Sequence, residues 1–268
     1  MGKLRAWMER HTILAFIAVA YGFSWGLWAL MITFLGQINW LGSFGPSLAA
    51  IVVIGMTQGR TGLKNLLRPI MNGRFGLGWY LFLIPGAVLV LILGLWIYKL
   101  LGGVVLLPMD AVLGQLVLVP IYYLIVLIIG GPLGEEIGWR GFLLPHFLKQ
   151  KNPLYASLLV FVLWFGWHLP LFWLPGASQQ GASIGAFILF VAAWSVVFTW
   201  VYAGTKGSLL SALLLHTSIN TVSLIMSEVD PVHADAPLLA MAVVTALVAL
   251  ALIVADKRMI RAPLANPA

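Results

Sequence analysis

The protein has 268 residues, of which 62% are hydrophobic and 9% are charged, whereas about a quarter of the residues in an average soluble domain are charged. This composition excludes a soluble globule, which cannot cover so much apolar surface, and a disordered chain, which is poor in apolar residues. The chain has no cysteine, so disulfides, thiol nucleophiles and cysteine-ligated metal sites are excluded as well. The net charge is +7, but the basic residues lie between hydrophobic segments, which indicates membrane topology and no nucleic-acid partner.

Eight segments are apolar over about the 20 residues that a helix needs to cross a bilayer. They are residues 12–35, 40–58, 77–101, 112–131, 154–173, 183–203, 208–226 and 236–255. A further helical stretch at about 133–149 is too polar for a simple span. The sequence therefore predicts an all-α, polytopic integral membrane bundle of about eight transmembrane helices, forming a single domain over residues 1–268.

The basic residues predict the orientation of this bundle. With eight spans, one side carries Lys3, Arg5, Arg10, Arg60, Lys64, Arg68, Arg74, Lys149, Lys151, Lys206, Lys257, Arg258 and Arg261. The alternate loops carry only Lys99, together with Asp110, Glu228, Asp230 and Asp235. The positive-inside rule then predicts a plasma (inner) membrane protein with both termini in the cytoplasm. The basic loop at 60–74 also offers a contact for anionic membrane lipid.

Ionisable side chains within apolar segments are costly and suggest a function. Glu135, Glu136 and Arg140 follow a Gly-Gly-Pro break at the end of the fourth span. Glu136 and Arg140 are four residues apart on one helix face, which predicts an ion pair. Glu135 points elsewhere and is left free for chemistry. A purely structural charge cluster is the alternative.

Two further polar sites lie in later spans. His168 lies within the fifth span, and His216 and Asn220 share one face of the seventh. Hydrogen bonding between helices explains each of them singly. Together with Glu135 they form a set that can add water to a carbonyl group. Glu135 would act as general base with His168 helping to hold the water, and His216 and Asn220 would donate to the oxyanion.

The same side chains allow a second scheme. Glu135, His168 and His216 would bind zinc, with an open position for water. The sequence does not separate a metal-free site from a zinc site, so no cofactor is certain. In either scheme the Glu135 helix must dip back into the membrane, which the preceding break permits because broken helices are tolerated where they line a cavity.

These motifs together resemble the CPBP family, also called the CAAX-protease or Abi family of intramembrane proteases. The family shows Glu-Glu-x-x-x-Arg, then Phe-x-x-x-His, then His-x-x-x-Asn. Glu135, Glu136 and Arg140 match the first motif, and His216 and Asn220 match the third. The resemblance covers a core of about residues 114–226.

The second motif matches in part, because His168 is present but Trp164 stands where the family has phenylalanine. The resemblance implies a cytoplasm-facing cavity and hydrolysis of a membrane-associated or prenylated, CAAX-like substrate. It also implies that Glu135 and His168 activate the water and that His216 and Asn220 form the oxyanion hole. The family is described both as a metalloprotease family and as one that works without a metal.

Two other classes of function remain open from the sequence. One is a non-catalytic scaffold, or a bacteriocin-type immunity protein, of the same fold. The other is a transporter with Glu135 and the histidines as a proton relay, which the lack of a clear internal repeat disfavours. Glu135→Gln separates these classes, because a scaffold should keep its function whereas a protease should lose turnover.

Overall fold

A computed structural model describes residues 2–103, 109–226 and 235–261 of the chain. The described residues are helical with connecting turns and include no strand, which confirms the predicted all-α membrane bundle. The helices are α1 (Gly2–Arg10), α2 (Thr12–Leu35), α3 (Gly45–Leu67), α4 (Leu77–Leu83), α5 (Pro85–Leu100), α6 (Met109–Ile129), α7 (Pro132–Gly138), α8 (Leu144–Leu148), α9 (Pro153–His168), α10 (Ile184–Gly204), α11 (Leu209–Met226) and α12 (Asp235–Ala255).

Six helical segments are long and apolar enough to cross a membrane, and each overlaps a predicted span. They are Thr12–Leu35, Trp40–Met71, Leu77–Leu100, Pro153–Phe172, Ile184–Gly204 and Ala236–Ala255. A seventh span results if Leu118–Ile129 and Pro132–Leu148, which meet at an angle of 47°, are counted together. The apolar part of α11, Leu209–Thr221, is a shorter helix. All eight predicted segments are thus helical, whereas eight full crossings remain a prediction.

The break between α6 and α7 sets the direction of the Glu135 helix. Gly131 has a φ of +105°, a backbone conformation that residues with a side chain rarely adopt. Pro132 then begins α7, where its missing N–H leaves no hydrogen bond unmade. Asn220 on α11 donates through Nδ2 to the carbonyl oxygen of Gly130 at 2.8 Å. The break is therefore held by a neighbouring helix.

Helix α7 is buried because it packs closely on the beginning of α3. A Cβ atom added at Gly134 would lie 2.6 Å from the carbonyl oxygen of Ser43, and one at Gly138 would lie 2.5 Å from that of Pro46. Only glycine allows the two backbones to approach so closely. A π-helical turn, Trp139–Leu143, follows α7. This packing fixes the carboxylates of α7 inside the bundle.

One end of the bundle, here named the basic end, comprises α1, residues 57–76, 149–153 and 204–208, and residues 256–261. Hydrogen bonds join its parts: the Arg5 guanidinium donates to the Thr57 carbonyl at 3.1 Å, and the Ser208 hydroxyl donates to the Asn72 carbonyl at 2.6 Å. Asp256 accepts from the Trp200 indole at 3.1 Å. Hydrogen bonds from the adjacent Arg258 lower the pKa of Asp256 to about 2.

The other end, here named the opposite end, contains the turns after α2 and α9. The two turns are joined by the Ile38 backbone N–H, which donates to the Pro175 carbonyl at 3.0 Å. Lys99, in the last turn of α5, lies at this end. Glu228 and Asp230, which the topology prediction also assigned to this side, lie outside the described residues.

Candidate active site

Glu136 lies at the centre of a buried ion-pair cluster. Its Oε1 accepts from the Arg140 guanidinium at 2.8 Å, so the predicted i,i+4 ion pair is present. The same oxygen lies 2.7 Å from Nδ1 of His216, which joins α7 to α11. Glu136 is fully shielded from solvent and Arg140 is 1% exposed. One carboxylate oxygen therefore fixes side chains from two segments of the chain.

The Arg140 guanidinium is also held between aromatic rings. Its central carbon lies 4.2 Å from the ring centre of Trp164 and 3.9 Å from that of Phe198. Such cation–π contacts are strongest where water is excluded. They compensate part of the cost of burying the guanidinium, so α9 and α10 are tied to the same cluster.

Glu135 differs from its neighbour because no lysine, arginine or histidine among the described residues forms an ion pair with its carboxylate. Its Oε2 accepts from the indole N–H of Trp164 at 2.7 Å and from that of Trp139 at 3.3 Å. Its Oε1 lies toward Gly131, where an added Cβ would come within 2.8 Å of it. Among the described residues no donor binds Oε1. The carboxylate is thus held through one oxygen and has the other available.

The tautomer of His168 follows from its contact with the backbone. Its Nδ1 lies 2.8 Å from the carbonyl oxygen of Trp164. A carbonyl can only accept, so Nδ1 carries the proton, and in the neutral ring Nε2 is an acceptor. His168 is therefore arranged to accept a proton or a hydrogen bond through Nε2.

The structure brings all four residues of the predicted reaction to one cavity. Glu135, His168, His216 and Asn220 line a space of about 970 Å³. Its walls are rich in aromatic side chains, and none of its described lining residues is lysine or arginine. The cavity is large enough for several residues of a peptide, and it combines apolar walls with a few converging polar groups, as binding sites commonly do.

The comparison with known proteins agrees with the three motifs. Residues 117–222 match the Rce1-like family, described as type II CAAX prenyl endopeptidase Rce1-like. This match supports the resemblance of the core to the CPBP family. The matched residues lie within the segment 114–226 that carries the resemblance.

A curated relative is similar over part of its length. CAAX prenyl protease 2 of Methanococcus maripaludis is 28% identical to this chain over 147 residues, which are 53% of this chain and 51% of the relative. The similarity thus spans about half of each protein. It supports the CPBP assignment of the core and leaves the activity of this chain to be proposed.

The zinc scheme has less support from the geometry of this CPBP core. Among the residues that the structure describes, no group of three His, Asp or Glu side chains is arranged to hold a metal ion. His168 and His216 have Nδ1 engaged, with the backbone and with Glu136 respectively, which leaves Nε2 of each ring as the nitrogen that could bind a metal. The side chains of Glu135, His168 and His216 nevertheless do not converge into a three-ligand site as arranged.

Trp164 makes a contact with Glu135 that the sequence did not predict. It stands at the phenylalanine position of the second CPBP motif, and its ring alone would be expected to fill space. The structure shows that the indole N–H donates to Glu135, while the ring face contacts Arg140. Phenylalanine offers the same ring face but no donor. Only the mismatch with the motif marked this position in the sequence.

Trp164→Phe is therefore expected to lower kcat/KM by about 10- to 100-fold, because a hydrogen bond to a charged group contributes about 1.5–3 kcal/mol. The change keeps an aromatic ring against Arg140 and removes the donor that holds Glu135. The measurement is the rate of peptide cleavage by the purified variant. Trp200→Phe is the matched control, because the Trp200 indole also donates to a carboxylate, that of Asp256 at 3.1 Å, and does not line the cavity. Equal losses in both variants would show that the Glu135 contact is not what matters.

Proposed function

We propose that this protein is an intramembrane endopeptidase that hydrolyses a peptide bond in a membrane-associated or lipidated, CAAX-like substrate. The observation that carries the proposal is the arrangement of Glu135. Its carboxylate is buried and held through Oε2 by two indoles, while Oε1 is available beside the cavity that His168, His216 and Asn220 also line. A structural carboxylate would be paired on both oxygens or bound to a cation.

In the proposed reaction Glu135 acts as general base. A water molecule between Glu135 and Nε2 of His168 gives a proton to the carboxylate, and its oxygen attacks the carbon of the scissile carbonyl. The tetrahedral intermediate then breaks its C–N bond, and Glu135 returns the proton to the leaving amine. The products are a new carboxyl terminus and a new amino terminus, and the enzyme is regenerated.

His216 and Asn220 are proposed to stabilise the oxyanion. The Asn220 amide has two N–H donors, and one of them binds Gly130, so among the described residues the second has no acceptor and can donate to the oxyanion. His216 donates from Nδ1 to Glu136, so its Nε2 is a donor when the ring is protonated. A protonated His216 makes the buried set of two glutamates, Arg140 and His216 neutral. Each such donor contributes about 10²- to 10³-fold to the rate of acyl transfer in well-studied enzymes.

The charges of the cavity favour cleavage within a chain over removal of a terminal residue. A carboxypeptidase needs a cation that binds the terminal carboxylate of its substrate. None of the described lining residues is lysine or arginine, and Arg140 is committed to Glu136. The cavity therefore suits an internal peptide bond whose flanking groups are uncharged.

The comparisons support the same class of activity. The matched family is one of CAAX prenyl endopeptidases, and the curated relative is called a prenyl protease. A non-catalytic scaffold would need Glu136 and Arg140 for folding, but it gives no reason for a buried carboxylate with one oxygen left available. The scaffold and immunity alternatives are therefore not favoured.

A cleavage assay with the protein in lipid bilayers tests the substrate class. A peptide that ends in a prenylated CAAX sequence and its unprenylated twin are incubated with the protein, and the fragments are identified by mass spectrometry. Cleavage restricted to the prenylated peptide supports a lipidated substrate, and cleavage of both supports a broader one. Folded protein that cleaves neither would contradict the CAAX-like assignment. Activity that is lost with a chelator and restored with zinc would support the zinc scheme.

A further inference from the structure

The cavity occupies only one half of the bundle. Helix α9 starts at the basic end and contributes from its last turns, with Trp164, Trp167 and His168. Helix α10 runs the other way and contributes from its first half, from Phe187 to Trp194. Each of these helices lines the cavity with the part that is farther from the basic end.

Helices α2 and α12 follow the same rule. Helix α2, which starts at the basic end, contributes only Trp28 from its later part, and α12, which ends there, contributes residues 236–241 from its beginning. The turn residues 38–40 and 176–182 also line the cavity, and they belong to the opposite end. The mouth of the cavity is therefore at the opposite end of the bundle.

The distribution of basic residues indicates which side of the membrane the opposite end of the bundle faces. Of all lysines and arginines in the sequence, only Lys99 and the buried Arg140 lie away from the basic end. The positive-inside rule places short basic segments of this kind in the cytoplasm. The resemblance to the CPBP family implied a cytoplasm-facing cavity, and that expectation is incompatible with cytoplasmic termini in this structure.

We propose that the cavity opens on the extracytoplasmic face of the membrane and admits a peptide segment presented from that side. The location of the opening follows from charge and geometry alone, whereas the role of the peptide as substrate rests on the proposed function. Hydrolysis would then occur in a protein or peptide that has crossed the membrane or is anchored with its scissile bond outside, so a CAAX-like sequence would be a substrate only where it is presented from that side.

The lining of the cavity specifies the chemistry of this peptide. Its inner walls carry aromatic rings, including Trp28, Trp167 and Phe187, which suit apolar side chains next to the scissile bond. Its mouth carries the amides of Asn39 and Gln179, which can pair with peptide backbone. The occupant is accordingly an extended, uncharged, apolar segment near the membrane surface.

Cysteine accessibility tests the proposal, because the natural chain has no cysteine. Ser178→Cys places a thiol on an exposed residue of the cavity mouth, and Thr61→Cys places one on an exposed residue of the basic end. Ser43→Cys adds a third thiol on the cavity wall. Each variant is produced in bacteria, and spheroplasts are treated with a membrane-impermeant maleimide before and after permeabilisation. Only variants that react after permeabilisation are scored, and Gln180→Cys replaces Ser178→Cys if the latter does not react.

The proposal expects that Ser178→Cys and Ser43→Cys react in intact spheroplasts and that Thr61→Cys reacts only after permeabilisation. The reverse pattern would overturn it and restore a cytoplasm-facing cavity. Reaction of Ser178→Cys without Ser43→Cys would show that the mouth is outside but the cavity is closed to that side, which also contradicts it. Labelling needs no catalysis, so this test can fail while the protease proposal stands. Repeating it in a Glu135→Gln background keeps the two questions separate.

Discussion

Glu135→Gln is expected to lower the turnover of a peptide substrate by about 10²- to 10⁴-fold, the usual contribution of a general base. Glutamine has the same size, and its carbonyl oxygen can still accept from the indoles of Trp164 and Trp139. The amide has no basic oxygen that can take a proton from water. The variant should therefore unfold at the same temperature as the natural protein, and its loss should lie in kcat.

The control for this prediction is Glu9→Gln, which removes the same charge at the surface. Glu9 is exposed and, among the described residues, forms an ion pair only with Arg5 on its own helix, at 2.9 Å. The Glu9→Gln variant should therefore have the same turnover and the same unfolding temperature as the natural protein. Full turnover in Glu135→Gln would mean that another group activates the water, and a lowered unfolding temperature would mean that Glu135 has a structural role.

Arg140→Ala is expected to destabilise the protein by about 3–5 kcal/mol, because breaking a buried ion pair leaves its partner charge without compensation. Glu136 is fully buried, and its Oε2 already has no hydrogen-bond partner among the described residues. The change also removes the guanidinium from between the rings of Trp164 and Phe198. The measurement is the free energy of unfolding in mixed micelles as denaturing detergent is added.

Two further variants show whether the instability comes from losing a buried arginine in particular, and whether it comes from its charge or from its planar group. Arg5→Ala removes an exposed arginine together with its i,i+4 pair and its hydrogen bond to the Thr57 carbonyl, and should cost only about 1 kcal/mol. Arg140→Lys keeps the charge but not the planar group that contacts both rings, so its stability should fall between those of the natural protein and Arg140→Ala. If Arg140→Ala were as stable as Arg5→Ala, the Glu136 cluster would not be what holds α7, α9 and α11 together.

The helices were predictable because hydrophobic runs of membrane length leave few alternatives. The Glu136–Arg140 pair was predictable because i,i+4 neighbours on a helix share a face whatever surrounds them. That Glu135 lies outside this ion pair follows from the same periodicity. These features depend on the spacing of residues that are close in the chain, and this spacing can be read directly from the sequence.

Contacts between distant segments were not predictable in the same way. The sequence assigned His216 to the oxyanion or to zinc and did not predict that its Nδ1 binds Glu136, which lies 80 residues earlier in the chain. The indole of Trp164 reaches Glu135 from another helix, and only the packing of α9 on α7 reveals it. The side on which the cavity opens also needs the assembled bundle, because each helix contributes only a short part of its length. The family resemblance identified the candidate site residues, whereas only the packing of the helices shows which side chains contact them.

The most direct test of the central claim compares peptide termini in cells that produce the natural protein with those in cells that produce Glu135→Gln at equal levels. The account predicts new amino and carboxyl termini, in membrane-associated proteins, that occur only with the natural protein. These termini would also identify a substrate and its scissile bond. Identical termini in both strains, with the variant folded and its cellular function retained, would contradict proteolysis and support a scaffold.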